Sequence, residues 1–417
     1  MAKEQVDLLI IGAGPSGCVA AAIAHQQQMN VLVLEKQTFP RFVIGESLIP
    51  RCMDHLAESG LLEVVQQQGF QVKKGARFIR QGVSCTFDFA EQFTRGWTWT
   101  WQVPRAAFDK VLADEVARKG VEIRYRSAVK AVRFQGSDST TVVEAEDGST
   151  YEVQARFIID ASGYGRVLPR ILGLDMPSDF PMRQAFFSHL TDPFRPEGAE
   201  GQQITFHVPH QDLWLWIIPF SNGLTSLGFV GSSAHFEQLG HDLRASFRNM
   251  IRQIPVVYER FEQSDFAFDP MCIKGYSKGV KQLHGPGFAL TGNSAEFLDP
   301  IFSSGVTFAT ESGLLAARLA CRQIKGEQID WESSYSRYIR QGVDTFRSYV
   351  KAWYDGSLQE VFFSKLTATN PNETIKRQIC SVLAGYVWDQ RNPFVRRHAT
   401  AIQSLAKVVR MHDEENK

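Results

Sequence analysis

This 417-residue sequence has none of the features that mark a nucleic-acid-binding, membrane or secreted protein. Lysine plus arginine and aspartate plus glutamate number 45 each, so the net charge of zero provides no field to recruit nucleic acid or an anionic membrane. No run of about 18 apolar residues argues for a membrane span. The N-terminal residues lead directly into an apolar strand, without the regions of a signal peptide. We therefore expect a cytoplasmic protein that is not integral to a membrane.

The few cysteines and histidines show neither the spacing of a metal site nor that of a disulfide framework. The six cysteines include no C-x-x-C pair, and the ten histidines have no ligand spacing. The cysteines are scattered at Cys18, Cys52, Cys85, Cys272, Cys321 and Cys380. We expect no metal centre and a reducing compartment.

The N-terminal segment carries a glycine-rich turn between an apolar strand and an alanine-rich helix. Gly12, Gly14 and Gly17 form the pattern G-x-G-x-x-G after the strand at residues 6–11. The first glycine permits a tight turn, the second lets the backbone approach a pyrophosphate, and the third lets helix and strand pack closely. Glu35 follows the next strand, where a carboxylate accepts hydrogen bonds from a ribose. These features predict a dinucleotide site.

Two later segments favour FAD over NAD as the dinucleotide. Asp160-Ala-Ser-Gly and Gly292-Asn293 both follow short strands, where a long ligand crossing the sheet would meet the chain. The arrangement resembles the FAD-dependent family that includes aromatic hydroxylases, geranylgeranyl reductases and flavin-dependent halogenases. That family usually has Gly-Asp at the second segment. Because an amide can still form a hydrogen bond with a hydroxyl, we expect Asn293 to weaken the charge at this position without abolishing FAD binding.

Three further segments resemble flavin-dependent halogenases specifically. Trp214, Trp216 and Pro219 lie in LWLWIIP, which matches that family's W-x-W-x-I-P. The segment FLDPIFSSG at residues 297–305 matches F-x-x-P-x-x-S-x-G, and Lys73 in VKKG stands where the family keeps its essential lysine. With the glycine motif and the Gly-Glu-Ser of residues 45–47, the resemblance covers about residues 5–320.

The resemblance implies a separate role for each of these segments. Reduced FAD and O2 would oxidise chloride or bromide, which the backbone amides of Ser304 and Gly305 would bind. Trp214 and Trp216 would separate the flavin from the organic substrate. Lys73 would hold the oxidised halogen beside the substrate ring, as a chloramine or by hydrogen bonding. A separate flavin reductase would supply the reduced cofactor.

The glycine motif and the resemblance together assign the candidate site residues. The catalytic candidates are Lys73, Trp214, Trp216 and Pro219. The halide-binding candidates are Ser304 and Gly305. The cofactor-binding candidates are Gly12, Gly14, Ser16, Gly17, Glu35, Lys36, Arg41, Ser47, Arg105, Val129, Asp160, Gly292, Asn293, Pro300 and Gly305.

Each of the halogenase-like segments also has an ordinary structural interpretation. The Trp pair could be core, the Lys73-Lys74 pair a solvated turn, and Ser304 a helix N-cap. Adjacent strand residues point to opposite faces, so only one of the two lysines can face inward, and the motif register favours Lys73. A neighbouring cation and burial would both lower its pKa.

Phe302 bears on the substrate class. In the tryptophan-halogenase branch the residue before the Ser-rich stretch is a glutamate near the reacting carbon, whereas here it is an apolar ring. The phenylalanine resembles the branch that acts on phenols and pyrroles, whose rings are activated by their own heteroatom. Phe302 could alternatively do no more than pack against the wall formed by Trp214 and Trp216. We expect a phenolic or pyrrolic substrate, either free or carrier-tethered.

Two other functions remain open at this point. A monooxygenase or dehydrogenase of the same fold would reduce its own FAD with NAD(P)H, although the sequence contains no second G-x-G-x-x-G. A flavin-binding module without enzymatic activity is the other.

The order of segments predicts an α/β fold with a discontinuous, glutathione-reductase-like Rossmann domain that binds FAD. We assign residues 1–80, 105–180 and 276–325 to this domain. A substrate-side β-sheet domain would comprise residues 81–104 and 181–275. Residues 326–417 would form a C-terminal helical region.

Overall fold

The computed structural model describes residues 4–237, 239–364 and 373–415. Its strands are β1 Glu4–Ile11, β2 Val31–Leu34, β3 Gln71–Lys73, β4 Gly75–Arg80, β5 Val83–Asp88, β6 Thr100–Gln102, β7 Glu122–Arg124, β8 Ala128–Gln135, β9 Asp138–Glu144, β10 Thr150–Asp160, β11 Asp175–Pro177, β12 Arg183–Thr191, β13 Thr205–His210, β14 Leu213–Pro219, β15 Leu224–Ser232, β16 Met271–Lys274, β17 Lys278–Val280, β18 His284–Gly285 and β19 Phe288–Leu290.

The α-helices follow in the same chain order. They are α1 Pro15–Gln26, α2 Arg51–Glu58, α3 Leu62–Gln66, α4 Arg105–Arg118, α5 Val167–Ile171, α6 Gly198–Gln202, α7 Leu243–Arg252, α8 Pro255–Phe261, α9 Gly305–Ile324, α10 Arg337–Tyr354, α11 Ser357–Phe363, α12 Glu373–Leu383, α13 Pro393–Arg396 and α14 His398–Glu415. Short 3-10 helices include Gly292–Ser294 and Pro300–Phe302. Within the described ranges, no helix is long and apolar enough to cross a membrane.

A mixed eight-stranded sheet forms the nucleotide-binding part. Its main path has the order β18-β19-β10-β1-β2-β7, in which the strands from β19 to β7 run parallel and β18 is antiparallel, and β8 and β9 extend the sheet from β10 by antiparallel pairing. β1 runs parallel to both β10 and β2, and the side chains of β2 are all buried. Such strands are covered on both faces, which explains their uninterrupted apolar character. The topology places the glycine turn, the end of β10 and the end of β19 at one edge. The predicted α/β Rossmann fold class is confirmed.

A second sheet of seven strands has the order β16-β12-β15-β14-β13-β4-β5. β4 lies within the sequence range predicted for the nucleotide-binding domain, but it pairs with β13 and β5 in this second sheet. The division of the chain into domains remains a prediction.

The two faces of β14 separate two apolar cores. Leu213, Leu215 and Ile217 pack in a small core that also contains residues of α7 and α8. Trp214 and Trp216 point the other way, into the main core shared with the nucleotide-binding sheet and the C-terminal helices. The alternation follows from the period-two geometry of a strand. Both tryptophans therefore face the interior that the two sheets enclose.

Helix α10 closes this interior from the C-terminal side. Its apolar positions Phe346, Tyr349 and Trp353 are buried and lie against Phe302. Gly342 of the same helix lies so close to Trp388 that an added Cβ would stand 2.3 Å from its ring. The tight contact shows that the C-terminal segments pack as part of the main core.

Candidate active site

The three glycines of the turn face three different surroundings. A Cβ on Gly12 would stand 2.6 Å from the Ala161 carbonyl oxygen, and φ there is +101°. A Cβ on Gly17 would stand 1.9 Å from the Gly12 carbonyl oxygen. A Cβ on Gly14 would meet only the Arg41 guanidinium, at 3.5 Å. The first and third glycines therefore serve chain packing, while the second faces open space beside the N-terminus of α1.

Charged side chains surround that open space. The buried Glu35 accepts hydrogen bonds from the amides of Ala13 and Gln37, both at 3.0 Å, and retains capacity for further donors. Arg41 lies 3.3 Å from Asp109 and 3.8 Å from Glu35, and its buried Nε has no partner in the described part of the chain. A helix N-terminus, an open Gly14 and an unsatisfied guanidinium nitrogen suit a pyrophosphate. The site therefore fits FAD.

Several predicted cofactor residues have structural partners in the protein. Ser16 donates a hydrogen bond to Thr291 at 2.8 Å, which ties α1 to the turn before Gly292. Arg105 donates to Asp109 and to the carbonyls of Ile44 and Gly45, so it holds the Gly-Glu-Ser loop. Lys36 is exposed and Val129 is half-buried on β8. Their roles toward the cofactor remain predictions.

The Asp160 carboxylate holds the segment that follows β10, and its role toward the cofactor remains a prediction. It is fully buried, one oxygen accepts the Ser162 amide at 2.9 Å, and the other accepts the Leu168 amide at 2.7 Å. Burial raises its pKa. Arg166, which the sequence analysis missed, donates to the Asn293 carbonyl at 3.0 Å and thus joins the two loops. Its φ of +45° is unusual for a non-glycine residue, so no sequence pattern indicated it.

Lys73 lies on the inner face of a two-stranded ribbon. β3 pairs with β6, and Lys73 is opposite Thr100. Lys73 is 2% exposed, whereas its neighbours Val72 and Lys74 are exposed. The alternation of a strand explains the difference. The ribbon thus turns one lysine of the pair into the interior and leaves the other in solvent.

The Lys73 amine has neutral hydrogen-bond partners. Nζ donates to the Ser47 hydroxyl and to the Leu48 carbonyl, both at 2.8 Å. No carboxylate forms an ion pair with it among the described residues. Burial lowers its pKa to about 7, because the charged form loses hydration. Burial therefore favours the unprotonated amine near neutral pH, which is the form that acts as a nucleophile.

A buried thiol lies close to the Lys73 ribbon. The Cys52 sulfur is 3.8 Å from the hydroxyl of Thr100, the residue opposite Lys73. Burial raises the pKa of this thiol to about 12. The thiol is therefore protonated at neutral pH.

The two tryptophans form a continuous apolar wall. Their ring centroids are 6.0 Å apart, and their exposed fractions are 1% for Trp214 and 4% for Trp216. Trp216 lies flat against Gly228, where an added Cβ would stand 2.2 Å from the indole. The Pro219 carbonyl accepts a 2.6 Å hydrogen bond from Gln102, which joins the end of β14 to β6. The wall is thus connected to the ribbon that carries Lys73.

The F-x-x-P-x-x-S-x-G segment forms a capped turn before the longest helix. Asp299 accepts the Ile301 amide at 3.0 Å and caps the 3-10 helix that begins at Pro300. Ser303 then adopts a left-handed conformation, with φ of +57°. Ser304 is the N-cap of α9, and Gly305 is its first residue. The first amides of a helix lack internal partners and carry a positive dipole, which suits a halide ion.

Phe302 is packed rather than open to a cavity. It is 4% exposed and contacts Phe346, Tyr349 and Trp353 of α10 at centroid distances of 6.5, 6.1 and 6.0 Å. Packing against the Trp wall was the alternative expected for this residue, and within the described residues its ring contacts are instead with α10. The residue that replaces the glutamate of the tryptophan branch is therefore part of the core.

These features together define a flavin-dependent oxidoreductase. It combines a Rossmann sheet with an open pyrophosphate cradle, an aromatic wall and an interior amine. The chain belongs to the tryptophan halogenase family, whose model matches residues 7–96 and 84–402. FAD is the cofactor of this family, and the expected FAD dependence is confirmed.

Three known proteins illustrate the relationship. A brominase of Pseudoalteromonas luteoviolacea that acts on 1H-pyrrole-2-carbonyl on a peptidyl-carrier protein is 30% identical over 338 residues, which is 80% of this chain and 81% of the relative. The corresponding chlorinase of Pseudomonas fluorescens is 27% identical over 382 residues, covering 85% and 84%. The structure of a flavoprotein/dehydrogenase from Cytophaga hutchinsonii is 52% identical, covers 98% of this chain and 100% of that one, and has a TM-score of 0.96.

Proposed function

We propose that this flavin-dependent halogenase transfers an oxidised chloride or bromide to a phenolic or pyrrolic ring through Lys73. The observation that carries the proposal is the interior amine with a pKa near neutrality and only neutral hydrogen-bond partners. Structural lysines usually keep the charged head in water. A solvated turn, the alternative interpretation for the lysine pair, does not describe a side chain that is 2% exposed.

The residues around the glycine turn would hold the cofactor. Gly14 and the α1 N-terminus face the pyrophosphate position, and Glu35 and Arg41 flank it. When bound and reduced, FAD supplies with O2 the two-electron oxidant that converts halide into hypohalous acid. A separate flavin reductase would provide the reducing equivalents.

The protein groups then direct the oxidised halogen. The amides of Ser304 and Gly305 would hold the halide at the positive end of α9. Trp214 and Trp216 would keep the organic substrate on the far side of the wall. The neutral Lys73 amine would take the halogen from hypohalous acid, forming an N–halogen bond and releasing water, or would hold the acid by hydrogen bonding. The ring carbon then accepts the halogen and loses its proton.

The proposed substrate class rests on Phe302, which replaces the glutamate of the tryptophan-halogenase branch. Phe302, a core residue, can neither stabilise a cationic ring intermediate nor accept its proton, so we infer a ring that is activated by its own heteroatom. A pyrrole nitrogen and a phenolate oxygen both do this. The two halogenating relatives act on a pyrrole attached to a carrier protein, so a tethered pyrrole is included beside free rings in the test.

Mass spectrometry of products tests this proposal. The holoenzyme, a flavin reductase and NADH are incubated with chloride or bromide and a panel of free phenols, free pyrroles, carrier-tethered pyrrole and tryptophan. We expect a mass gain of one halogen on a phenol or pyrrole and little product from tryptophan. Lys73→Ala should abolish the product but leave FAD binding and O2 consumption intact, while the matched control Lys74→Ala should retain activity. Faster halogenation of tryptophan than of any other ring would contradict the substrate assignment.

A dehydrogenase is the second candidate, because the 52% identical relative from Cytophaga hutchinsonii is described as a flavoprotein/dehydrogenase. That reaction requires the protein to accept electrons directly from its substrate or from NAD(P)H. NAD(P)H oxidation by the purified protein without a reductase distinguishes the two. We expect only background oxidation, and efficient turnover would favour the dehydrogenase or a monooxygenase.

A further inference from the structure

A buried hydrogen-bonded chain links the aromatic wall to the segment before α9. The Trp214 indole nitrogen is 3.1 Å from the Tyr354 hydroxyl, which is 2.9 Å from a carboxylate oxygen of Asp299. The Tyr276 hydroxyl reaches the same carboxylate oxygen at 3.3 Å. Of these four residues, only Trp214 lies in a motif that the sequence alone reveals.

The chemistry of the groups fixes the direction of this chain. An indole nitrogen donates and cannot accept, so the Tyr354 oxygen accepts from Trp214. The single Tyr354 proton is then left to donate to Asp299. Because one hydroxyl makes both bonds, its removal would break both ends of the connection.

The chain joins three parts of the molecule that are distant in sequence. Trp214 belongs to β14 of the seven-stranded sheet, and Tyr354 is the last residue of α10. Asp299 precedes the turn that ends in Ser304 and Gly305, and its other oxygen caps that turn through the Ile301 amide. The carboxylate is therefore attached to the turn on one side and to the wall on the other.

Asp299 also places a negative charge close in sequence to the expected anion site. It is 3% exposed and forms no ion pair within the described residues. Burial raises its pKa to about 6, while the Ile301 amide, the Tyr354 hydroxyl, the positive charge of Arg183 and the Tyr276 hydroxyl act in the opposite direction. The Arg183 guanidinium stacks on the Tyr354 ring at 3.8 Å but bonds the Asp212 carbonyl. The two phenols are thus the side-chain donors that hold this charge in place.

We propose that Tyr354 is a positioning residue for the halide, because its hydroxyl fixes the Asp299-capped turn relative to Trp214. The proposal rests on the halide site of the proposed function. Loss of the Tyr354 hydroxyl removes the 2.9 Å hydrogen bond to Asp299 and leaves only the 3.3 Å bond from Tyr276 on that oxygen. The capped turn then loses its connection to Trp214.

Direct halide titration of the FAD-loaded protein tests the proposal without turnover. Bromide is added to the holoprotein, and its dissociation constant is read from the change in flavin absorbance or from bromide NMR line width. We expect Tyr354→Phe to raise this constant about ten-fold, which is about 1.4 kcal/mol. The matched control Tyr276→Phe removes the same atom from the longer bond and should change it less than two-fold. FAD affinity should stay within two-fold of wild type in both variants.

A double-mutant cycle separates positioning from general loosening of the core. Trp214→Phe removes the donor at the other end, so its effect on bromide affinity should not add to that of Tyr354→Phe. Additive effects, or equal effects of Tyr354→Phe and Tyr276→Phe, would overturn the proposal while leaving the halide site intact. An absence of bromide binding by the wild-type holoprotein would overturn both the proposal and the assigned halide site.

Discussion

Replacing Lys73 by methionine removes an interior amine while keeping an unbranched side chain of similar length. In the fold the Lys73 pKa is about 7, against an ordinary value of 10.5 for an exposed amine. Above pH 10.5 the amine is neutral in both the folded and unfolded chains. Between pH 10.5 and 7 only the unfolded chain binds the proton, so stability falls as the pH falls. Below pH 7 the folded chain also binds the proton, so the loss of folding stability stops increasing.

The size of this effect follows from the two pKa values. Their difference corresponds to about 5 kcal/mol of free energy of unfolding at low pH. The destabilisation caused by the Lys73 amine is about 3 kcal/mol larger at pH 6 than at pH 9. Methionine leaves the Leu48 carbonyl and the Ser47 hydroxyl without this donor, which costs about 1–3 kcal/mol independently of pH. The pH-dependent part is therefore the diagnostic quantity.

Equilibrium urea unfolding at pH 6 and pH 9, with the same excess of FAD, measures the difference between variant and wild type. Wild type should gain about 3 kcal/mol of unfolding free energy when the pH rises from 6 to 9, and Lys73→Met should not. The free energy of unfolding of the variant relative to wild type should therefore fall by about 3 kcal/mol over this range. Lys74→Met changes the exposed neighbour and should show no such dependence. A Lys73→Met difference that is the same at both pH values would refute the low pKa and with it the argument for a neutral amine.

Two further predictions concern glycines of the site. Gly14→Val should preserve the fold, because the position meets only Arg41 at 3.5 Å, but should weaken FAD binding at least about ten-fold by filling the phosphate space; unchanged affinity in a fluorescence titration would mean that the cofactor lies elsewhere. Gly228→Ala places a Cβ 2.2 Å from the Trp216 ring, so we expect a loss of about 1–3 kcal/mol in urea unfolding and a lower yield of halogenated product per O2 consumed. Gly279→Ala, with nothing within 4 Å of the added Cβ, is its control and should behave as wild type.

The nucleotide-binding part could be predicted because its determinants are close together in the sequence. Gly12, Gly14 and Gly17 lie in one turn, and their different surroundings follow from strand, turn and helix geometry alone. The pairing of β4 in the second sheet could not be predicted in the same way. It depends on contact with β13, more than 120 residues away in sequence.

The site was predicted unevenly for the same reason. The inward direction of Lys73 follows from strand alternation, but its pKa depends on Ser47, Leu48 and the opposite strand, which only the fold brings together. Asp160 is a predicted cofactor residue, and the amides of Ser162 and Leu168 that its oxygens accept could not be predicted from the sequence. Tyr354 carries no local pattern, because its partners Trp214 and Asp299 are 140 and 55 residues away.

The burial of Lys73 and Cys52 also bears on which of the two nucleophiles would react with an oxidised halogen. In water a thiol reacts with such an oxidant more readily than an amine does, since part of it is thiolate. Here burial favours the uncharged form of both groups, so the amine becomes a free base while the Cys52 thiol, with a pKa of about 12, keeps its proton. One physical cause thus activates nitrogen and protects sulfur. A polar substitution that hydrates the ribbon should therefore raise the pKa of the Lys73 amine and lower that of the Cys52 thiol, which favours oxidation of the cysteine.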